Sequence, residues 1–246
     1  MEDIQISAIR KRITQVHEQI AAAAIRSGRA PEAVRLVTVT KSQPVEVVRA
    51  VIAAGAMILG ENYAEEAVTK MTELTGTTAD WHMIGHVQSR KAGLVADNFK
   101  MVQSLDSVKL AVKLDRVCSE RKGILPVLLE INTSGEADKF GLPAWDEEQW
   151  MHLEPVVEEI VGLTHIQVRG LMTMPPFTSD PEQARSYFQR LRRLQAYFFR
   201  LFPQTDWSEL SMGTSGDFVV AVEEGATFVR VGRTILGERQ VQRIHA

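Results

Sequence analysis

Apolar residues recur near the start of the chain at Ile6, Ile9, Ile13, Val16, Ile20 and Ala23 or Ala24. Spacings of three and four put them on one helical face, so one amphipathic helix is predicted over residues 1–28. Ser27-Gly28 stops it and Pro31 bars its continuation. From there, short β-branched runs alternate with longer helical patterns. Strands are predicted at 35–40, 56–60, 81–85, 101–105, 126–132, 167–174, 209–212 and 227–232. Helices are predicted between them at 44–54, 61–74, 88–97, 107–121, 145–161, 181–202 and 216–224, with a last one at 233–241.

Strands that alternate with helices imply a parallel sheet with helical crossovers. Eight such units without a linker or a break in composition suit a single α/β domain, a closed (β/α)8 TIM-type barrel with an extra N-terminal helix. The expected division is a helix over 1–30 and a barrel over 34–240, within one domain of 1–246. An open doubly wound sheet is the alternative, and it usually needs fewer strands.

Composition narrows the function classes. A net charge of -3 argues against nucleic-acid binding by bulk electrostatics. The single cysteine, Cys118, excludes an internal disulfide framework and continues an apolar helical pattern, as a core thiol would. The N-terminus lacks an apolar targeting segment, and no window reaches the roughly 18 apolar residues of a membrane span. A cytoplasmic location is therefore expected.

A barrel places its working residues on the loops after its strands. Those positions hold Lys41; Glu61-Asn62-Tyr63; His82 and His86; Asp106; Asn132-Thr133-Ser134; Met172-Thr173; Ser211 to Gly216; and Arg230 to Arg233. Lys41 follows the run Leu36 to Thr40 and precedes Ser42-Gln43-Pro44. An ammonium at a buried strand end must be paired or desolvated, and a desolvated lysine amine can attack a carbonyl to form a Schiff base. On position alone the ordinary reading is a side chain that snorkels outward.

Ser211-Met212-Gly213-Thr214-Ser215-Gly216-Asp217 joins glycines and hydroxyls just before a helix, and Gly232-Arg233 supplies a second small turn. Barrels often hold a phosphate between the loops after strands seven and eight. Phosphate-type turns opposite a Schiff-base lysine point to pyridoxal phosphate. Arg230 would then approach the ring nitrogen and oppose its protonation. It could instead be a barrel residue paired with Glu209 or Glu61.

Other chemistries fit less well. His82 and His86 are not a helical pair and have no third ligand at a familiar spacing, so no metal site is expected. The loop Gly135 to Gly141 lacks calcium-ligand spacing. Arg185, Arg190, Arg192, Arg193 and Arg200 suit a solvated helix face. An aldolase-type barrel using Lys41 on a sugar phosphate shares the lysine and the turns.

These residues fall in blocks that resemble the pyridoxal phosphate homeostasis protein family from about residue 34 to 239. The blocks are Val37 to Lys41, Gly60 to Tyr63, Trp81 to Gly85, Gln88 to Lys91, and Asn132 to Glu136 with Lys139 and Gly141. Further on come Arg169 to Pro175, Leu210 to Gly213 with Ser215 and Asp217, and Val229 to Gly232 with Gly237. The resemblance implies a barrel like the alanine racemase N-terminal domain (fold type III), with pyridoxal phosphate in imine linkage to Lys41. It implies phosphate contacts at Ser215, Gly232 and Arg233, the ring nitrogen at Arg230 and the ring substituents at Asn62. His82, Met172 and Ser211 complete the expected cofactor-binding set. The chain departs from the family pattern at His86, where proline is common, Arg90, where asparagine is common, and Arg233, where threonine is frequent.

The family implies a carrier that buffers or delivers the cofactor, without substrate turnover, to pyridoxal-phosphate-dependent client enzymes. The alternative is an amino-acid racemase, which needs an acid/base on each face of the α-carbon. Related racemases bring the second base, a tyrosine, from a further domain of a partner subunit. This sequence ends at Ala246 after the last barrel helix, so that domain and its dimer interface are expected to be absent and a monomer is expected. Among its tyrosines only Tyr63 falls near the site.

Overall fold

The computed structural model describes residues 2–237. The chain enters through the long helix α1 (Glu2–Arg26). Barrel strands then alternate with helices: β1 (Arg35–Val39), α2 (Val45–Ala53), β2 (Ile58–Glu61), α3 (Ala64–Glu73), β3 (Asp80–Met83), α4 (Ala92–Asn98), β4 (Met101–Leu105) and α5 (Val108–Glu120). They continue as β5 (Leu125–Asn132), β6 (Leu142–Pro143), α6 (Glu154–Val161), β7 (Ile166–Thr173), α7 (Arg185–Leu201), β8 (Glu209–Thr214), α8 (Phe218–Glu223), β9 (Phe228–Val231) and α9 (Arg233–Leu236).

All pairings are parallel. The order β4-β3-β2-β1-β9-β8-β7-β5, with β4 also paired to β5, closes eight strands into a ring. The ninth strand, β6, lies in the segment expected to be loop. It adds to the end of β5 at Ile131 and Asn132.

The strands read as apolar runs because both faces are buried. Leu36 joins the core between strands and helices, whereas its neighbour Val37 faces the lumen with Met101, Leu128, Met172 and Phe228. The same alternation separates Leu129 from Leu128 and Leu171 from Met172. Helix α1 lies outside the helix ring against α2, α8 and α9. It buries Ile9, Ile13, Val16, Ile20, Ala23 and Ala24, the stripe that predicted it.

Several boundaries differ from expectation. The helix predicted from 145 begins as a 3-10 segment (Glu147–Leu153) and becomes α-helical only at Glu154. Pro155 has no N–H to continue an earlier α-turn. The helix predicted from 61 starts at Ala64, because Glu61 ends β2 and Asn62-Tyr63 form the turn. Of the helix predicted at 233–241, α9 covers Arg233–Leu236, and residues 238–241 lie outside the described residues, as does His245. No described helix is long and apolar enough to cross a membrane.

Candidate functional site

The loops after β1, β2, β8 and β9 enclose a cavity of about 560 Å³. Lys41, Asn62, Ser215, Arg230, Gly232 and Arg233 all line it, together with Gln43, Ile84 and Met174. Six residues scattered between positions 41 and 233 therefore meet at one mouth of the barrel, because parallel strands deliver every following loop to the same end.

Lys41 is half-buried at the end of β1, and the next residue, Ser42, has φ 58. A non-glycine residue in the left-handed region needs support from its surroundings. That support comes from α3, where Glu66 Oε1 accepts the Ser42 N–H at 2.7 Å.

Across the cavity, the turn after β8 packs tightly. Gly213 has φ 89, and a Cβ there would lie 2.5 Å from Ala221 Cβ and 2.8 Å from Phe218 Cα. Only glycine lets this turn settle onto α8. Ser215 Oγ accepts the Gly232 N–H at 3.2 Å, which ties the β8 and β9 turns together. The Arg233 guanidinium lies over the Phe177 ring at 5.6 Å, away from that junction.

Arg230 is buried at the cavity floor. Its Nη1 donates to Ser211 Oγ at 2.5 Å and its Nη2 to the Thr173 carbonyl at 2.9 Å. Burial lowers its pKa to about 10, against Asp217 and Glu130, so it remains cationic at neutral pH. The pairing considered with Glu209 or Glu61 does not form: Glu209 pairs with Arg35, and Glu61 with Lys70.

His82, Met172 and Ser211 lie beneath the cavity instead of on its wall. Ser211 Oγ donates to Gln103 Oε1 at 2.6 Å, and Gln103 Nε2 meets His82 Nδ1 at 2.9 Å. A polar line thus runs from Arg230 through Ser211 and Gln103 to His82. Burial, and secondarily Arg35, lowers the His82 pKa to about 4, so its ring is neutral at neutral pH. Met172 packs among the apolar lumen residues. These side chains point inward because alternate strand positions face the lumen below the loops.

The sequence left Gln103, Lys70 and Glu130 without roles. Lys70 had a visible signal, since it continues the buried stripe Ala64, Ala67 and Lys70 on α3. Glu130 is a carboxylate inside the apolar strand β5. Two arginines of the α7 face are ion-paired, Arg185 with Glu182, Glu223 and Glu224, and Arg193 with Glu147; Arg190 donates to the Thr133 carbonyl, and Arg192 and Arg200 are exposed. Cys118 is buried, and burial pushes its thiol pKa up.

The donor set fits a phosphorylated pyridine aldehyde: an amine at Lys41, a fixed guanidinium at Arg230 and two joined small-residue turns. Asn62 Oδ1, buried on this wall, has no hydrogen-bond partner within the described protein, so its acceptor is available to a ligand or to solvent.

Comparison with known proteins agrees with this geometry. Residues 7–240 match the alanine racemase N-terminal domain. The chain is 39% identical over 239 residues to the pyridoxal phosphate homeostasis protein of Vibrio alginolyticus, covering 95% of this chain and 99% of that one. It is 35% identical to the protein of that name from Escherichia coli K12, covering 92% and 95%. PipY of Synechococcus elongatus, solved with pyridoxal phosphate bound, superposes with a TM-score of 0.79 at 32% identity over 93% of this chain and 100% of PipY. Alanine racemase of Clostridium difficile shares the fold at 14% identity, with a TM-score of 0.68 over 96% of this chain and 58% of the racemase. The chain belongs to the pyridoxal phosphate homeostasis protein family, built on the alanine racemase N-terminal barrel.

Proposed function

We propose that this protein binds pyridoxal phosphate through an imine to Lys41 and buffers or delivers the cofactor without turning over a substrate. The observation that carries this reading is the one cavity walled by Lys41, Arg230 and the turns at Ser215 and Gly232. The names of the relatives and the ligand of PipY support it.

The bound cofactor supplies a carbonyl for amine capture and, when its ring nitrogen is protonated, an electron sink. Lys41 is the amine. Ser215 and the backbone of Gly232 and Arg233 hold the phosphate, and Asn62 meets the ring substituents. Arg230 faces the ring nitrogen, and a fixed cation there opposes protonation and weakens the electron sink. Ser211, with Gln103 and His82 behind it, fixes Arg230, while Met172 fills the lumen below. Helix α1 and the barrel act as one domain, and a monomer hands the cofactor to client enzymes.

Purified protein should be yellow, and borohydride should fix the cofactor's mass on the Lys41 peptide. Lys41→Ala should lose both the colour and that adduct. An unmodified Lys41 peptide after incubation with pyridoxal phosphate and borohydride would refute the reading. Incubation with L-alanine in deuterated water separates carrier from racemase: a carrier leaves the α-proton in place, and exchange at enzyme-like rates would establish turnover.

A further inference from the structure

A second chamber of about 510 Å³ adjoins the first and shares Asn62, Ile84 and Met174 with it. Glu130, on β5, lines this chamber, and its buried Oε2 has no hydrogen-bond partner within the described protein. An orphaned buried carboxyl oxygen is costly unless a ligand or solvent satisfies it. Nearby, Asp106 Oδ2 holds His86 Nδ1 at 2.7 Å, and the His86 ring stacks on Phe140 with centroids 3.9 Å apart and planes 11° apart.

Charge selects the occupant. The two lysines on the chamber wall are already paired, Lys91 with Glu65 at 2.6 Å and Lys139 with Glu136 at 2.7 Å. Glu130 and Asp138, with Asp106 behind His86, give the remaining wall an acidic balance, and Met83, Ile84, Ile131 and Phe140 give it an apolar one. Among the described residues no three His, Cys, Asp or Glu side chains are grouped to hold a metal ion, which favours an organic cation.

We propose that this chamber binds a small organic primary ammonium ion, with Glu130 as its carboxylate partner. The inference goes beyond cofactor binding and does not require Lys41 to carry a cofactor. Burial and the neighbouring Asp106 raise the Glu130 pKa to about 7, with Arg230 opposing. At neutral pH the carboxyl is therefore partly protonated, and an arriving ammonium completes its ionisation by releasing the proton to solvent.

Calorimetry with isobutylamine, L-valine and isovalerate tests this on the protein as purified, and again after borohydride reduction, which removes imine exchange as a source of heat. Saturable binding of isobutylamine, L-valine or both should persist after reduction, and isovalerate should not bind. Binding of isobutylamine would assign the site to simple amines; binding of L-valine alone would assign it to amino acids. At pH 7, titrations in buffers of different ionisation heat should give release of about half a proton, falling as the pH rises. Glu130→Gln should weaken binding about tenfold or more, as expected for a charge-assisted contact. No saturable heat from either ammonium compound by roughly 10 mM would overturn the proposal, because such affinity is below that of a specific small-ligand site. Unchanged affinity in a folded Glu130→Gln protein would overturn it too. If that variant does not fold, amide shifts of the wild-type protein decide: movement at Gly85, His86 and Phe140 supports the site, and movement confined elsewhere refutes it.

Discussion

Lys70 Nζ lies 2.8 Å from Glu61 Oε1, with the two side chains only 6% and 0% exposed. The same ammonium donates to the Thr40 carbonyl at 2.9 Å, and Thr40 Oγ1 donates to the same Glu61 oxygen at 2.8 Å. Glu66 pairs with Lys70 at 2.5 Å and accepts the Ser42 N–H. The residues on both sides of Lys41 are thus anchored to one buried network. Burial pushes the Glu61 pKa up, while Lys70 and then Thr40 pull it back.

Removing one partner of a buried ion pair strands the other. Lys70→Met should destabilise the fold by about 3–5 kcal/mol in urea unfolding. It should also loosen the Lys41 turn and lower the amount of pyridoxal phosphate fixed by borohydride per folded molecule. Full stability would disprove the network's role.

Gly170 on β7 has φ 148, and a Cβ there would sit 1.9 Å from the Glu209 carbonyl oxygen on β8. That clash is backbone against backbone in a closed ring and cannot be relieved by a rotamer change. Gly170→Ala should cost more than about 3 kcal/mol or prevent folding. Gly93→Ala, on α4 with its nearest neighbour 4.0 Å away at Arg121, should be neutral or stabilise by up to about 1 kcal/mol. Paired thermal melts check both.

His82 binds its proton in the unfolded chain near 6.5 but in the folded protein only near pH 4. Between those values the unfolded state takes up more protons, so the His82 contribution to stability is full above pH 6.5 and is lost as the pH drops towards 4. The loss across the window should be about 3 kcal/mol. Because Glu130 offsets it over much of this range, the difference in urea stability between wild type and His82→Gln isolates it, and that difference should change by this amount from pH 7 to pH 4.

Glu130 acts in the opposite direction. Its carboxyl titrates near 4.5 when unfolded and about 7 when folded. The unfolded state loses the proton first, so this contribution is full below pH 4.5 and lost as the pH rises to 7. Glu130→Gln should be more stable than the wild type by up to about 3 kcal/mol at pH 8, with the difference vanishing towards pH 4.5. Equal stabilities at pH 8 would contradict an unpartnered, buried carboxyl.

Periodicity alone made α1 and the eight barrel strands legible, because burial on both strand faces leaves continuous apolar runs and burial on one helix face leaves a stripe. Lys41, Arg230 and the turns at Ser215 and Gly232 were legible because a parallel barrel brings post-strand residues to one end. The short strand β6 was not legible, since its two residues gain their place only by pairing with the end of β5. The 3-10 start before α6 depended on Pro155, a local backbone effect that an apolar count overlooks.

The sequence by itself determined the element order and the class of barrel, and it singled out Lys41 as the candidate amine. Tertiary structure decided which polar side chains meet. Strand tilt and register turn Ser211, Gln103 and His82 inward behind Arg230, bring Lys70 beneath Thr40, and leave Glu130 facing a second chamber. Such contacts join residues tens of positions apart, and their energies depend on burial and distance, neither of which exists until the ring closes.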